Sequence, residues 1–268
     1  MKDEKNRLAS KFSHIQIRSI DIDAPDRTVL HSQIIRQKPF LRKIYADWYA
    51  TISGYLPEHH SGAVIELGSG GGFCKDIIPG AITTEILPIP GVDVLLDGKA
   101  LPFKDRSLKG VVMVDVFHHL PRVDRFLNEA ARCVQPGGVV AMIEPWNTLW
   151  SRMVYRYLHH EPFDPDSSTW EIPSGGPLSQ SNSALPWIVF ERDLCHFERV
   201  FPQWRIKDLR LHTPFRYLLS GGVSIRGSMP ERLYRFWHNV EDRLNPVIQY
   251  LAMFATIVLV RSDREKSS

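Results

Sequence analysis

The stretch Val64-Ile65-Glu66-Leu67-Gly68-Ser69-Gly70-Gly71-Gly72-Phe73 sets a carboxylate two residues ahead of a glycine run. Glycine turns of this kind bring backbone N–H groups close to a ligand. A nucleoside-triphosphate loop needs Lys-Ser or Lys-Thr after its last glycine, and neither follows here. The dinucleotide fingerprint also fails. Counted from Gly68, its third glycine falls on Phe73; counted from Gly70, it falls on Lys75. Glu66 would repel a pyrophosphate, but it suits a ligand with a cationic amino group and no phosphate.

Other residues could carry chemistry further along. His118 and His119 follow an apolar run, and one of them could act as a general base near neutral pH. The competing role is packing beside the ligand. His159, His160 and Glu161 open "HHEPFDPD", with Asp164 and Asp166 behind them. This set could hold a metal or a base, but its proline spacing reads as a rigid loop and no metal is expected. Glu144 either faces an acceptor or caps the next helix. Trp146, Trp150, Tyr155, Tyr157, Phe163, Trp170, Trp187 and Phe190 crowd one span. They would line a pocket for an apolar or planar acceptor, or form local core, or both. Trp146, Trp150, His160 and Arg226 are the candidate acceptor contacts. Arg226 qualifies because "SGGVSIRG" could form a backbone nest for phosphate.

The chain has 268 residues, 43% hydrophobic and 24% charged, which suits one large soluble domain with an insertion. A formal charge of +3, with scattered basic residues, gives no nucleic-acid footprint. Cys74, Cys133 and Cys195 are far apart and form no CxxC pair, so no disulfide framework or zinc ribbon is indicated. Sparse cysteine fits a reducing cytosol. "MKDEKNRLASKFSH" has no apolar signal core, so a cytoplasmic location is expected. The longest apolar run, Leu251 to Val260, falls short of the roughly 20 residues that span a bilayer and reads as a buried strand.

Several elements must position these residues. Ile34, Ile35, Leu41, Ile44, Tyr45 and Trp48 recur at helical spacing, and Pro39 divides them into two helices. Strands are expected at 63–67, 81–86, 92–96, 110–116 and 138–145. Between the last two, Val123, Phe126, Leu127, Ala130, Ala131 and Val134 make one helical face, stopped by Pro136-Gly137-Gly138. A helix near 148–158 is expected, then an irregular segment to about 203. A strand at 204–212, a helix at 230–244 and a strand at 253–261 complete the chain. This β-α-β order argues for an α/β fold with an open, doubly wound, mostly parallel sheet.

In these motifs the chain resembles the class I S-adenosylmethionine-dependent methyltransferases, over about 60 to 145. "VIELGSGGG" is similar to the family's acidic glycine motif. The other carriers are Glu85, "LLDGKALPF" at 95–103, "VVMVDVFHHL" at 111–120 and "LNEAARCVQPGGVVAMIEP" at 127–145. The resemblance implies a seven-stranded Rossmann-like sheet with helices on both faces and the last strand antiparallel. It implies S-adenosylmethionine as cofactor, an amino-acid end at Glu66, Gly68, Ser69 and Gly70, and a ribose at Glu85. Asp97, with Gly98, would take the adenine, and Asp115 would stand at the exit of the fourth strand. The helix after the glycine loop is cut short by Pro79-Gly80, which would leave the pocket more open.

The expected divisions are an N-terminal arm and helices (1–59), a cofactor core (60–145), an inserted substrate lid (146–203) and C-terminal strands (204–268). The expected function is methyl transfer to a small-molecule or lipid-like acceptor, with oxygen the favoured atom and His118, His119 and His160 the candidate bases. An N/D-P-P-Y-type motif is absent after the fourth strand, which argues against DNA bases as acceptors. Two alternatives stay open. One is a non-catalytic binding or regulatory protein of this fold. The other is a membrane-surface enzyme with an isoprenoid or lipid-linked acceptor, in peripheral contact with the bilayer.

Overall fold

A computed structural model describes residues 20–159, 161–173, 175–176, 178–225 and 229–263. Two helices come first, α1 (Pro25–Gln37) and α2 (Pro39–Ser53). Each begins on a proline, whose fixed φ and missing N–H suit a first helical turn. Lys38 ends one helix and precedes the other. The strands β1 (Ala63–Glu66), β2 (Ile82–Glu85), β3 (Val94–Leu95) and β4 (Leu108–Val114) follow. Then come α3 (Val123–Cys133), β5 (Val134–Pro145) and α4 (Leu149–Tyr157). After a long loop, α5 (Leu185–Trp187) runs through a π turn (Ile188–Arg192) into α6 (Leu194–Val200). β6 (Trp204–His212), α7 (Arg216–Ser220), α8 (Tyr234–Arg243), α9 (Ile248–Leu251) and β7 (Phe254–Arg261) close the series.

The seven strands lie in the order β3-β2-β1-β4-β5-β7-β6. The first five are parallel, and β7 inserts antiparallel between β5 and β6. Side chains alternate along each strand, so the sheet feeds two cores. Ile65, Val111, Met113, Val140 and Met142 pack on one face with α3 and the α5–α6 segment. Val64, Val112, Val114, Ala141 and Ile143 pack on the other with α1, α2 and α4. The expected doubly wound sheet is therefore present, with β7 antiparallel.

Two expectations change. Residues 185–200 are helical where an irregular segment was expected. Pro186 reads as a breaker, yet it sits at the first turn of α5, where proline is tolerated. Leu185, Val189, Phe190 and Phe197 are buried in the core, so this part of the insertion is structural. The shortened helix after the glycine loop is a single 3-10 turn at Cys74–Asp76. The site is not left open there, because α1 lies on the loop. A Cβ on Gly71 would stand 3.0 Å from Ile35 Cδ1 and 3.1 Å from Ser32 N.

Candidate active site

Parallel strands release their carboxyl ends on one edge of the sheet, where such folds bind ligands. Glu66, Glu85 and Asp115 all leave strands at this edge. Glu66 is 2% exposed; the Tyr49 hydroxyl donates to its Oε1 at 2.7 Å, and its Oε2 is buried without a partner. Burial pushes the Glu66 carboxyl up to about 7, against the hydrogen bonds from Tyr49 and Ser69. Gly70, at φ +36, donates its N–H to Glu85 Oε2 at 2.9 Å, and Ile86 N donates to Oε1 at 2.8 Å. The glycine loop and the acid of β2 are therefore one hydrogen-bonded unit. The Ser69 hydroxyl is spent inside it, donating to Glu66 O and accepting from Thr84 N. Gly68 forms the turn with φ +65. A Cβ on Gly72 would collide with the Tyr49 hydroxyl, which explains that glycine.

Asp97 accepts from Lys99 N at 2.9 Å and pairs with the Lys99 ammonium at 3.2 Å. Leu67 and Leu120 pack on Gly98 beside it. A shallow cleft of about 460 Å³ opens here, between Lys99, Arg122 and the Thr169–Pro173 stretch of the insertion.

Asp115 holds φ +63, a left-handed conformation unusual for a non-glycine residue and often found at functional sites. Its N–H donates to Ile143 O at 2.8 Å. The next turn is fixed by Glu144, which is fully buried. Glu144 Oε1 accepts from Val116 N at 2.8 Å and Phe117 N at 2.7 Å. Its Oε2 accepts from His118 Nδ1 at 2.8 Å. Glu144 thus orients His118 and holds the β4 exit turn, and does not cap α4. That helix is capped by Thr148 and Ser151.

Beyond His118, the insertion brings in Glu161. His118 Nε2 lies 3.2 Å from Glu161 Oε2, and His119 Nε2 lies 3.7 Å from Glu161 Oε1. Ser183 Oγ donates to Glu161, and Asn182 N donates to His118 O at 3.0 Å, so the insertion is fastened onto this group. Burial alone would lower the His118 pKa, but hydrogen bonds to Glu144 and Glu161 and their charges hold it well above its usual value. Burial and the His118 charge lower His119 to about 4. Burial would raise Glu161, yet His159, His118 and His119 hold it well below the usual carboxylate range. Tyr45, Tyr155 and Tyr217 are held protonated by burial and by the nearby Asp115 and Glu161 charges.

The expected residues are thus divided. Glu66, Gly68, Ser69, Gly70, Glu85, Asp97, Gly98 and Asp115 lie along the strand-end edge, and His118 and His119 stand beside Asp115. Trp146 is 3% exposed and belongs to the core, away from any acceptor surface. Trp150 donates its indole N–H to Pro214 O at 2.9 Å and packs on Phe215. His160 and Arg226 lie outside the described residues. The glycine segment before Arg226 is not a phosphate nest: Gly222 N bonds Ser220 Oγ, and the carbonyls of Gly222 and Ile225 accept from Lys38 Nζ. Sequence reasoning missed Tyr49, hidden within the apolar face of α2. It also left Glu144 and Glu161 unassigned as the partners of His118.

The residues present fit a cofactor with a cationic amino-acid end and a ribose. Glu66 offers a buried, unpartnered oxygen, and Glu85 a carboxylate aimed by two N–H groups. A profile of the methyltransferase domain matches residues 74–142. No curated protein sequence matches the chain. Among solved structures, a chain of the Haloferax volcanii complex between the Trm112 methyltransferase activator and a putative methyltransferase is similar at TM-score 0.53 and 14% identity, covering 91% of this chain and 98% of that one. Geranyl diphosphate C-methyltransferase from Streptomyces coelicolor A3(2) is similar at TM-score 0.51 and 8% identity, over 86% and 82%. Haemonchus contortus phosphoethanolamine N-methyltransferase 2 gives TM-score 0.51 and 11% identity, over 90% of this chain and 58% of that one. At these identities the likeness is one of fold. The methyltransferase domain match covers residues 74–142, about a quarter of the chain, and it falls on the strands and loops that carry Glu85, Asp97 and Asp115 of the carboxylate set. S-adenosylmethionine is the chain's cofactor, and methyl transfer its reaction class.

Proposed function

We propose that the acceptor is a small or lipid-like molecule methylated on oxygen. The carrying observation is the group formed by Asp115, His118, Glu144 and Glu161 beside the strand ends, with Tyr45, Tyr155 and Tyr217 around it. S-adenosylmethionine supplies a methyl already activated on a sulfonium. The chain's own work is then orientation, exclusion of water and disposal of a proton. A hydroxyl acceptor must give up a proton, and this group supplies carboxylates and imidazoles within reach of one another. Glu66 would hold the ammonium end, Glu85 the ribose hydroxyls and Asp97 the adenine amino group. Behind the His118 group the buried Tyr155 stacks on Phe163 at 5.2 Å, and such aromatic surroundings support an acceptor with apolar or planar surface.

The test is methyl transfer from isotopically labelled cofactor to alcohols and amines of matched carbon skeleton, with products identified by mass spectrometry. Methyl ethers are expected. Products methylated only on nitrogen would overturn the oxygen reading, and no cofactor binding at millimolar concentration would overturn the whole of it.

One observation favours acceptors presented at a lipid surface. Leu149, Met153, Tyr157 and Leu158 are more than half exposed along one side of α4, with Arg152 and Arg156 exposed among them. Val247 and Tyr250, around the neighbouring α9, extend the apolar surface. Apolar and basic residues mixed in this way suit an anionic bilayer interface. No helix among the described residues is long and apolar enough to cross a membrane. Flotation with anionic vesicles tests the contact; protein that remains wholly in the soluble fraction refutes it.

A further inference from the structure

We propose that His118 Nε2, His119 Nε2 and the Glu161 carboxylate form a binding site for one divalent transition-metal ion, of the class represented by zinc and cobalt. The three ligand atoms all lie within 4.8 Å of one another. His118 Nε2 lies 3.2 Å from Glu161 Oε2 and His119 Nε2 lies 3.7 Å from Glu161 Oε1, separations close to the ligand spacing around an ion with bonds of about 2.0–2.2 Å that the two carboxylate oxygens would share.

The opposite ring nitrogens make the stronger case. His118 Nδ1 meets Glu144 Oε2 at 2.8 Å, and His119 Nδ1 meets Gln180 O at 3.4 Å. Both partners only accept hydrogen bonds, so both rings place a proton on Nδ1. Each ring then turns its Nε2 toward the Glu161 carboxylate, and on His118 a bound ion would take the place of the proton shared with that carboxylate. Two acceptors facing each other repel unless something positive lies between them. A proton satisfies His118 at 3.2 Å. It does not satisfy His119, whose 3.7 Å gap is too long for a hydrogen bond. A cation satisfies both. Metal-binding histidines characteristically donate their other N–H to a carboxylate or a backbone carbonyl, the arrangement seen at both rings. Glu144 is itself held rigidly by the N–H groups of Val116 and Phe117.

The donor set decides the ion. Two imidazoles and a carboxylate suit zinc, iron, cobalt or nickel, whereas magnesium and calcium require oxygen ligands. Three protein ligands leave a position open, as at catalytic rather than structural sites. An acceptor hydroxyl bound there would become more acidic. That role rests on the proposed reaction; the site itself rests on side-chain geometry alone.

The experiment uses full-length protein stripped with a chelator and titrated with cobalt(II), followed by absorption and by elemental analysis. About one ion per chain is expected, with a visible band of low-coordinate cobalt that zinc removes. His119→Ala and Glu161→Gln should each weaken binding by about a hundredfold, and Glu144→Gln by about ten- to a hundredfold. Circular dichroism first establishes that each variant is folded. If Glu161→Gln does not fold, His119→Gln carries the comparison, and the wild-type stoichiometry and spectrum stand without any variant. No uptake by the stripped wild type overturns the site. So does uptake that His119→Ala reproduces with equal affinity. None of these readouts depends on methyl transfer, so the site and the reaction can fail separately.

Discussion

Replacing Tyr49 by phenylalanine removes one oxygen atom and should move a titration. The Tyr49 ring would stay packed edge-on to Phe73, with centroids 5.4 Å apart, while Glu66 Oε1 loses its 2.7 Å donor. In the wild type, burial raises Glu66 from its ordinary 4.5 to about 7. For an acid raised in this way, the stabilising contribution is complete below pH 4.5 and is lost as the pH rises through about 7. The difference amounts to about 3 kcal/mol. A hydrogen bond to a charged group contributes about 1.5–3 kcal/mol and one to the neutral acid about 1 kcal/mol, so its loss should raise Glu66 by about 0.4–1.5 further pH units. Tyr49 is itself held well above its usual value, so in the wild type it remains a donor throughout this range.

Two assays read the shift. Urea unfolding should show the variant losing about 1 kcal/mol near pH 5, and about 1.5–3 kcal/mol near pH 9. Calorimetry with S-adenosylmethionine should show the acid limb of binding displaced by about 0.4–1.5 pH units, with affinity near pH 7 roughly two- to fifteenfold weaker, because a protonated Glu66 cannot pair with the ammonium. The alkaline limb belongs to the ligand's own amine and should not move. A pH-independent stability loss, or an acid limb at the wild-type midpoint, would refute the assignment of Glu66.

Glu85→Ala removes the acceptor for Gly70 N–H and for the ribose; calorimetry should show cofactor affinity reduced by about a hundredfold or more. Gly72→Ala should destabilise the protein by about 2–4 kcal/mol in urea unfolding, through collision with Tyr49. Adding Tyr49→Phe should recover part of that loss, because the clashing hydroxyl is gone. Arg216→Met leaves the buried Glu241 carboxylate without its ion-pair partner and should cost about 3–5 kcal/mol in the same assay. Serine at Leu149, Met153 and Tyr157 together should abolish vesicle flotation, while each exposed change alters stability by no more than about 0.5 kcal/mol.

The sheet was legible in the sequence because apolar runs, glycine turns and one clean helical face recur in register with the chain. Glu66 was legible from its place two residues ahead of the glycine turn, and Glu85 because its partners, Gly70 N and Ile86 N, are backbone groups. The group around His118 was not. Glu144 and Glu161 come from a different strand and from the insertion, and only the tertiary fold brings them onto one imidazole. Tyr49 shares the spacing of its apolar neighbours on α2, and nothing in that spacing shows where its hydroxyl points. Residues 185–200 were obscured by Pro186, whose effect depends on its place within the helix and not on its presence.

The strand order has a consequence for synthesis. Among the described residues β6 pairs only with β7, and β7 also covers the edge of β5. About 40 residues separate His212 from Phe254, so at about 5–20 residues per second the ribosome needs about 2–8 s to make them. Through that interval β6 has been made but has no partner, and the bare edge of β5 is open to other strands. The nascent chain therefore passes through an adhesive stage of several seconds late in translation.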